Sequence, residues 1–307
     1  MMDQTKFKAG YLALIGRPNV GKSTLLNKLL DYKLSITSPR PQTTRRRLLG
    51  IMNGNSYQIM FLDTPGILEQ SKYELQQVML HQIQLAIADA DALVYMVEAL
   101  AAGSTAAEQL VAAEVDLIKK MNPAKKPVLL IINKIDLGKK SDLLPLLDFY
   151  NRLYTFQALI PVSALKGDGL TRLLTEFLAV LPWHPPYYDA DTLTDQPEKF
   201  FVAELIREQV FLHFGAEIPY CTEVVIEEFK EREGRKDYIR AIIFTERDSQ
   251  KAILIGKKGS ALGKIGLQAR VEIEKFLQRE VYLELRVKVR KNWRRDKVQL
   301  RQFGYGE

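Results

Sequence analysis

The amino-acid sequence predicts an α/β domain with a mostly parallel sheet, followed by a smaller α+β domain. Over the first 181 residues, short apolar runs alternate with amphipathic segments, which is typical of parallel strands covered by helices. At 307 residues the chain is longer than one average domain. A proline-rich, acidic stretch, PWHPPYYDADTLTDQP, lacks both helical and strand periodicity. We therefore predict a first domain over 1–181, a linker over 182–198, and a second domain over 199–307 that ends in a basic tail.

The first domain begins with a strand, a glycine-containing loop and a helix. Tyr11 to Ile15 is a short apolar run, and Thr24 to Leu30 has apolar residues at helical spacing. The segments that follow alternate between these two patterns. We predict strands at Tyr57–Leu62, Ala92–Val97, Val128–Ile132 and Leu159–Val162, and helices at Tyr73–Ala88, Ala106–Met121 and Leu170–Leu181.

The second domain has a different order of elements, α-β-β-α-α-β. Apolar residues at helical or alternating spacing define each element. We predict helices at Phe200–Phe214, Asp248–Ile255 and Ser260–Leu277, and strands at Glu223–Phe229, Tyr238–Phe244 and Val281–Val289.

Composition limits the class of protein and its compartment. Apolar residues make up 47% and charged residues 26% of the chain, proportions that allow a packed soluble core. The lone cysteine, Cys221, cannot form an internal disulfide, and the N-terminus lacks the long apolar stretch of a secretory signal. The apolar runs are too short to span a bilayer. We therefore expect a cytoplasmic protein without a transmembrane segment.

The net charge of +7 is concentrated in the second domain. Residues 199–307 contain 23 Lys and Arg against 17 Asp and Glu, whereas residues 1–198 contain 21 against 20. A basic half suits a polyanionic partner, although a surplus of this size is also common on ordinary soluble surfaces. Charge alone therefore leaves the partner open.

The loop from Gly16 to Ser23 matches the pattern G-x-x-x-x-G-K-[ST], directly after a strand and at the start of a helix. Glycines let backbone N–H groups turn toward phosphates, and the helix N-terminus and Lys22 add positive charge. The Ser23 hydroxyl is expected to ligate Mg²⁺. We predict nucleotide contacts along the whole loop, from Gly16, Arg17, Pro18, Asn19, Val20, Gly21, Lys22, Ser23 and Thr24.

A second motif, Asp63-Thr64-Pro65-Gly66, follows the predicted strand at Tyr57–Leu62. Its carboxylate therefore falls at the C-terminal end of a strand, where ligands bind in parallel sheets. We expect Asp63 to hold the Mg²⁺ shell and the Gly66 N–H to face the γ-phosphate. Together with the glycine loop, this motif indicates a nucleoside triphosphatase.

A third motif, Asn133-Lys134-Ile135-Asp136, again follows an apolar strand and indicates which base is bound. The Asp136 carboxylate can accept both N1–H and the exocyclic amino group of guanine, whereas adenine has an acceptor at N1. An unmatched buried carboxylate costs at least about 1–3 kcal/mol, so this residue should exclude ATP. GTP is therefore the predicted substrate.

A fourth motif, Ser163-Ala164, follows the next predicted strand and can donate a backbone N–H to guanine O6. The four motifs stand in the order of the GTPase G1, G3, G4 and G5 boxes, so the first domain resembles a translation-factor-type small GTPase with a P-loop. The resemblance implies a switch I around Gln42 to Arg45. Within it, Thr44 is the choice for a second Mg²⁺ hydroxyl, with Thr43 as a close competitor.

The water-orienting glutamine of the Ras-like GTPases is missing. Its usual position after the second motif is Ile67, and an aliphatic side chain cannot orient water. The chain therefore resembles GTPases with a hydrophobic residue at this position, several of which use K⁺, bound at the loop position of Asn19. A merely stabilising role of Asn19 in the loop stays open. We expect slow hydrolysis that depends on Lys22, Thr44, Gly66 and Asn19.

The segment from Ile255 to Gly259 lies between two predicted helices and resembles the GxxG loop of the type II KH fold. Paired glycines let an RNA backbone come close, and lysines meet its phosphates. Ile255, Ile265 and the strand at Tyr238–Phe244 are candidates for an apolar base groove or for plain core. We predict RNA contacts from Ile255, Gly256, Lys257, Lys258, Gly259 and Lys264.

The C-terminal tail from Arg286 to Arg301 is basic and contains Trp293. Basic residues with an aromatic side chain can bind RNA by charge and stacking. A solvated helix explains the same composition, so both interpretations stay open.

A GTPase domain joined by a short linker to a type II KH domain resembles the Era family of bacterial ribosome-assembly GTPases, over about Lys8 to Tyr305. The resemblance implies Mg²⁺ with GTP or GDP, and binding of the 3′ end of 16S rRNA during maturation of the 30S subunit. The segments that are particularly similar are Gly16–Asn27, Ser35–Ser38, Gln42–Arg45, Asp63–Gly66, Gly215–Tyr220 and Ile255–Ile265.

Two alternatives are kept. The first is a GTP-regulated switch that recruits proteins at the membrane or the ribosome through a KH-like domain that does not bind RNA. The second is a GTPase that helps to modify RNA or that regulates membrane-associated processes. A weak peripheral association with the inner face of the cell membrane is left open, and a monomer is favoured although the oligomeric state is unknown.

Overall fold

The computed structural model describes residues 7–68, 71–99 and 105–306 of the chain. The first six residues and Glu307, which the predicted domains include, lie outside the described residues. Within the described ranges, no helix is both long and apolar enough to cross a membrane. Contacts divide the chain into two compact units. Unit 1 comprises Met1–Ser35, Thr44–Glu69 and Met79–Asp195, and unit 2 comprises Ile36–Thr43, Gln70–Val78 and Gln196–Glu307.

The first part of the chain forms a six-stranded sheet with helices between its strands. The strands are β1 (Lys8–Gly16), β2 (Leu48–Gly54), β3 (Tyr57–Asp63), β4 (Ala92–Glu98), β5 (Val128–Asn133) and β6 (Ala158–Pro161). The helices are α1 (Lys22–Leu30), α2 (Glu74–Asp89), α3 (Thr105–Met121), α4 (Lys140–Leu153) and α5 (Leu170–Val180). The strand order is β2-β3-β1-β4-β5-β6, and only the β2–β3 pair within it is antiparallel.

The sequence of the central strands explains their position. β5, VLLIIN, is buried at every position, and β4, ALVYMVE, at every position except the last. Continuous apolar runs of this kind are typical of parallel strands that lie between two layers of helices. The four predicted motifs follow β1, β3, β5 and β6, which run parallel to one another in this sheet. The C-terminal edge of the sheet therefore collects the polar side chains of all four motifs.

The five strands predicted for the first domain are confirmed, but the sequence analysis missed β2 and α4. Strand β2, LLGIMNG, contains two glycines, which weaken a strand pattern. A side chain at Gly50 would come within 3.2 Å of Leu26, Leu30 and Leu34. Helix α4 contains Pro145, and proline is normally excluded from helix interiors because it lacks an N–H.

The second part of the chain has the predicted α-β-β-α-α-β order, with short helices added. The helices are α6 (Glu198–His213), α7 (Ile218–Cys221), α8 (Asp248–Ile255), α9 (Ser260–Leu277) and α10 (Lys297–Gln302). The strands are β7 (Glu223–Lys230), β8 (Asp237–Thr245) and β9 (Val281–Val289). β8 lies in the centre, antiparallel to β7 and parallel to β9. The core contains Val202, Ile206, Ile239, Ile243, Ile265 and Ile273.

The structure excludes one of the two roles left open for the C-terminal tail, RNA stacking by Trp293. Its side chain is fully buried, its Nε1 donates to the Cys221 carbonyl at 2.9 Å, and its ring meets Phe303 edge-on. Arg290 lies over the rings of Phe244 and Phe303. The tail therefore packs onto unit 2, and its indole cannot receive an RNA base.

The proline-rich segment after α5 is hydrogen-bonded to strands β2 and β3. Gln58 Oε1 accepts the N–H groups of Tyr187 and Tyr188 at 2.7 and 3.0 Å. The Ile51 N–H donates to the Leu193 carbonyl at 2.8 Å. These contacts explain why a segment without regular periodicity is ordered. The linker predicted over 182–198 stays a prediction, as do the other domain bounds.

Candidate active site

The Gly16–Ser23 loop joins β1 to α1, and the Asn133 side chain ties it to two other motifs. Asn133 Nδ2 donates to the Val20 carbonyl at 2.7 Å, and its Oδ1 accepts the Ala164 N–H at 2.9 Å. Gly21 has φ of 101°, and a side chain there would lie 2.2 Å from Asn133 Nδ2. Glycine is therefore required at this position both by backbone conformation and by space.

Lys22 is buried and points into the loop. Its Nζ donates to the carbonyls of Gly16 and Arg17 at 2.9 and 3.0 Å. Burial lowers the pKa of Lys22 to about 8, and the neighbouring Asp63 carboxylate opposes that shift. The Lys22 ammonium group is thus held by two backbone carbonyls at the place where the sequence predicts bound phosphates.

The Asp63 carboxylate is the centre of a buried oxygen cluster. Its Oδ2 accepts the hydroxyls of Ser23 at 2.9 Å and Ser35 at 2.8 Å, and Thr44 Oγ1 lies 3.0 Å from Ser23 Oγ. Burial raises the pKa of Asp63, while Lys22, Ser35 and Ser23 oppose that shift. Among the described residues, Asp63 Oδ1 is buried without a hydrogen-bond partner.

This cluster fits a hard divalent cation such as Mg²⁺. Mg²⁺ prefers oxygen ligands and usually keeps several waters, so one carboxylate and two hydroxyls beside bound phosphates are sufficient. The unpartnered Asp63 Oδ1 is an acceptor that a metal-bound water would satisfy. Groups of three or more His, Cys, Asp or Glu suited to a metal ion do not occur in the part of the chain that the structure describes.

The geometry favours Thr44 over Thr43 as the second hydroxyl of this cluster. Thr43 Oγ1 donates to the Arg40 carbonyl at 2.9 Å and lies 2.7 Å from Ser38 Oγ. The Thr43 hydroxyl is thus committed to its own segment, whereas Thr44 reaches Ser23. The role predicted for Thr44 stays a prediction.

The sequence analysis missed two residues of this site, Ser35 and Asn27. Asn27 Oδ1 accepts the N–H groups of Leu34 and Ser35 at 3.0 and 2.8 Å, and its Nδ2 donates to the Ser35 carbonyl at 2.7 Å. Asn27 thereby fixes the backbone from which Ser35 reaches Asp63. The available signal was an asparagine inside the otherwise apolar stretch of α1, TLLNKLL.

The Asp63–Gly66 motif packs directly on the phosphate-binding loop. Thr64 Oγ1 donates to the Leu14 carbonyl at 2.7 Å, and a side chain at Gly66 would lie 2.6 Å from Pro18 N. The Ile67 N–H donates to the Gly16 carbonyl at 3.1 Å. Pro65 and the aliphatic side chain of Ile67 are buried. The Ile67 side chain therefore does not point toward solvent.

Two remaining loop residues occupy different settings. Asn19 is exposed and has a φ of 64°, at the tip of the loop. Thr24 is half-buried in the first turn of α1. Their predicted contacts with a nucleotide stay predictions.

A cavity of about 790 Å³ opens beside Asp136 at the C-terminal ends of β4 to β6. The Ser163 hydroxyl donates to Asp136 Oδ1 at 2.6 Å, and this hydrogen bond lowers the pKa of Asp136. Lys134, which also lines the cavity, pairs with Glu98. The carboxylate is therefore held ionised and oriented at the cavity wall.

The Ser163-Ala164 motif makes two contacts that were not predicted from sequence. The Ser163 hydroxyl bonds Asp136, and the Ala164 N–H donates to Asn133 Oδ1.

The predicted GxxG loop connects α8 to α9. Gly256 has φ of 73° and ψ of 177°, and a side chain there would lie 2.7 Å from the Ala261 side chain. Residues Lys257–Gly259 form a tight turn in which Lys258 has a left-handed φ of 51°, and both Lys257 and Lys258 are exposed. Lys264 is exposed on α9. Two ammonium groups thus stand at the N-terminal end of an 18-residue helix, an arrangement that favours phosphates.

The apolar residues predicted for the base groove divide between two environments. Ile265 is fully buried in the core, together with Ile239 and Ile243 of β8, so these side chains do not line an open groove. Ile255 is half-buried beside Gly256. Ile255 therefore keeps surface that a base could contact, as do the half-buried Tyr238 and Phe244 at the ends of the candidate strand.

Comparison with known proteins identifies two domain types. Residues 11–134 match the family described as 50S ribosome-binding GTPase, and residues 217–294 match the KH domain. The GTPase Era of Geotalea daltonii is 46% identical over 304 residues, which cover 99% of this chain and 100% of that protein. A chloroplastic GTPase ERA-like protein of Arabidopsis thaliana is 40% identical and is covered over 70% of its length.

Two solved structures are similar over nearly the full chain. A variant of Aquifex aeolicus Era bound to GDP and AlF₄⁻ is 40% identical, with a TM-score of 0.90 over 98% of this chain and 100% of that one. A complex of Era with MgGDPNP and nucleotides 1506–1542 of 16S ribosomal RNA is 39% identical, with a TM-score of 0.91 and the same coverage. The predicted GTPase and KH folds are therefore both confirmed.

Proposed function

This chain belongs to the Era family of GTPases, and on that premise we propose that its KH domain binds the single-stranded 3′ end of 16S rRNA. GTP binding and slow hydrolysis would switch that interaction during assembly of the 30S subunit. The observation that carries the proposal is the GxxG loop, whose Lys257 and Lys258 are exposed at the start of α9. A similar protein was solved with nucleotides 1506–1542 of 16S rRNA, which supports the choice of RNA.

We propose that the nucleotide is held as GTP or GDP with Mg²⁺. Lys22 and the backbone of the loop would bind the phosphates, and Asp136 the guanine base. Ser23, Thr44 and Asp63 would hold Mg²⁺, which neutralises phosphate charge when bound. The remaining contacts that we propose come from Gly16, Arg17, Pro18, Asn19, Val20, Gly21, Thr24, Thr64, Pro65, Gly66, Asn133, Lys134, Ser163 and Ala164.

Slow hydrolysis is supported by the position of Ile67. Its side chain is buried in the core of unit 1, so it cannot orient an attacking water. Within the proposed site, Lys22, Thr44 and the Gly66 N–H face the developing phosphate charge. An arginine finger gives about 10³–10⁵ in rate, so a chain without glutamine or activator should turn over slowly.

The proposed setting is a cytoplasmic monomer with the domain division predicted from sequence, 1–181, 182–198 and 199–307. A weak contact with the inner face of the membrane is compatible with it. The alternative of a protein-recruiting switch without RNA binding is disfavoured by the retained glycines and exposed lysines of the GxxG loop.

The proposed RNA partner can be tested with the full-length protein and short fluorescent oligonucleotides. We expect an oligonucleotide of the 16S rRNA 3′ end to bind more tightly than its complementary sequence in the presence of a GTP analogue. Equal binding of both sequences would mean that the protein recognises only the charge of the RNA backbone and would contradict sequence-specific binding. Binding of neither sequence would contradict the RNA partner.

We expect Ser35→Ala to weaken the proposed Mg²⁺ site without emptying it. Ser35 donates to the carboxylate of Asp63, and loss of such a supporting contact typically costs about 10-fold or more in metal affinity. The Mg²⁺ concentration for half-maximal binding of a fluorescent GTP analogue should rise by that factor. The control variant Thr175→Ala removes an exposed hydroxyl that donates to the Thr171 carbonyl of its own helix. It should leave the Mg²⁺ requirement unchanged. An unchanged Mg²⁺ requirement in Ser35→Ala would contradict the role.

We also propose that K⁺ assists hydrolysis through Asn19. Single-turnover GTP hydrolysis should be roughly 10-fold or more faster in K⁺ than in Na⁺ buffer, since charge stabilisation of this step by an arginine gives about 10³–10⁵. Asn19→Ala should lose the difference, whereas Asn55→Ala, at an exposed turn, should keep it. Equal hydrolysis rates of the unmodified protein in K⁺ and Na⁺ buffers would contradict a role for K⁺.

A further inference from the structure

We propose that Glu114 of α3 is a positioning residue for the nucleotide site, because it holds Arg17 and thereby fixes the first peptide units of the phosphate-binding loop. The proposal rests on the GTP site described above and adds α3, which carries none of the four motifs, to its machinery. Glu114, Arg17 and Tyr95, called the Glu114 clamp below, form one hydrogen-bonded group.

The Glu114 carboxylate is buried and both of its oxygens are used. Glu114 is 7% exposed. Arg17 Nε donates to its Oε1, and the Tyr95 hydroxyl donates to its Oε2 at 2.6 Å. A carboxylate buried without partners would be strongly destabilising. The side chain therefore stays at this place because a guanidinium and a phenol satisfy it.

The surroundings of Glu114 make this arrangement rigid. Tyr95 on β4 and Tyr150 on α4 are both almost fully buried beside the carboxylate. Burial, followed by the Glu114 charge, raises the pKa of both tyrosines, while the Arg17 charge opposes the shift. Both phenols thus remain protonated at every physiological pH. Arg17 is the cation that neutralises Glu114 in this pocket, and its side chain is 33% exposed.

The clamp acts on the part of the loop where several other contacts meet. The Gly16 carbonyl accepts from Lys22 Nζ at 2.9 Å and from the Ile67 N–H at 3.1 Å, and the Arg17 carbonyl accepts from Lys22 Nζ at 3.0 Å. These two carbonyls therefore orient the lysine, and the Gly16 carbonyl docks the backbone just after the Asp63–Gly66 motif. A side-chain anchor on Arg17 limits rotation of both peptide units, which keeps the loop in a shape ready for phosphates.

A competing explanation is that Arg17 contacts a phosphate directly and that Glu114 only pairs with a half-buried guanidinium. The two explanations differ in how the variants combine. If Arg17 acts through the clamp, removing either partner has the same consequence, and removing both adds nothing. If Arg17 acts on phosphate by itself, its loss and the loss of Glu114 have independent effects.

The test measures dissociation of a fluorescent GDP analogue from the full-length protein. We expect Glu114→Gln, which keeps the shape but loses the negative charge that pairs with Arg17, to speed dissociation about 10-fold. Arg17→Met should have a similar effect, and the double variant should be no faster than either single variant. Arg152→Ala, which removes the exposed pair with Asp148, should dissociate at the unmodified rate.

Each outcome decides the matter. Unchanged dissociation in Glu114→Gln, or multiplied effects in the double variant, would overturn the proposal. Faster dissociation with an unchanged melting temperature of the nucleotide-free protein would support it, since a merely structural pair would change melting instead. If Glu114→Gln does not fold, Tyr95→Phe removes only the phenol oxygen and should still speed dissociation. Failure of the unmodified protein to bind the GDP analogue would instead count against the GTP site itself.

Discussion

Replacing Asp136 by asparagine is expected to lower GTP affinity by at least about 100-fold. The carboxylate accepts two guanine donors, N1–H and the exocyclic amino group, and hydrogen bonds to a charged group contribute about 1.5–3 kcal/mol each. Asparagine keeps one uncharged oxygen for N1–H and turns a donor toward the amino group, so one bond is weakened and the other is replaced by two unmatched donors. This loss corresponds to about two powers of ten or more in affinity. The effect should be strong because Ser163 already orients the carboxylate at the cavity wall.

The same variant should gain affinity for xanthosine triphosphate. Xanthine has a carbonyl oxygen where guanine has its amino group, so the side-chain amide of the introduced asparagine can donate to it. Titrations with fluorescent GTP and XTP analogues measure both changes. Asp142→Asn alters another carboxylate of the same cavity and should bind both nucleotides as the unmodified protein does. GTP affinity within about threefold of the original in the Asp136→Asn variant would contradict the assignment.

Reversing the charges of the GxxG loop is expected to weaken RNA binding strongly at physiological salt. In the variant that combines Lys257→Asp with Lys258→Asp, two phosphate contacts become two repulsions. The slope of log affinity against log salt should also fall by about 1.4, since each phosphate contact on single-stranded nucleic acid contributes about 0.7. We expect at least about 100-fold weaker binding of the rRNA oligonucleotide, measured by fluorescence anisotropy over a salt series.

The matched control for this experiment changes the same net charge elsewhere in unit 2. Lys230 and Lys236 are exposed and pair with Glu228 and Glu280. Replacing both by aspartate should weaken RNA binding only slightly, because neither lies on the GxxG loop. Equal losses of RNA affinity in the two double variants would mean that the overall positive charge of unit 2, and not the GxxG loop, attracts the RNA.

The nucleotide site could be predicted from sequence because its motifs are local. Asp63 and Asn133 are the last residues of apolar strands, and Lys22 begins the helix after the loop that follows β1. The C-terminal ends of such strands meet at one edge of a parallel sheet. The GxxG loop was found in the same way, from its place between two periodic helices. The bounds of α8, α9 and β9 agree with the prediction at both ends.

The residues that support the site could not be predicted because their partners are distant in sequence. Ser35 bonds a carboxylate 28 positions away, and Arg17 one that is 97 positions away. A single sequence contains no signal that joins such pairs. The role of Trp293 stayed open for a related reason, since the basic residues around it in the sequence give no sign that its side chain is fully buried in the fold.

The missed elements, β2 and α4, have a different cause. Each carries a residue that breaks its own pattern, the two glycines of β2 and Pro145 of α4. Tertiary packing outweighs these local preferences, since Gly50 gives close contact with Leu26, Leu30 and Leu34. Local propensity is a weak guide wherever neighbouring elements supply most of the stabilisation.

The most direct test of a GTP-switched RNA-binding protein is to compare RNA affinity between nucleotide states. The full-length protein would be titrated into the fluorescent 3′-end oligonucleotide of 16S rRNA, once with a non-hydrolysable GTP analogue and once with GDP, both with Mg²⁺. We expect binding to be at least about fivefold tighter with the GTP analogue, the lower range of coupling between two sites. Equal affinity in the two states would contradict the switch, and absence of binding in both would contradict the RNA partner.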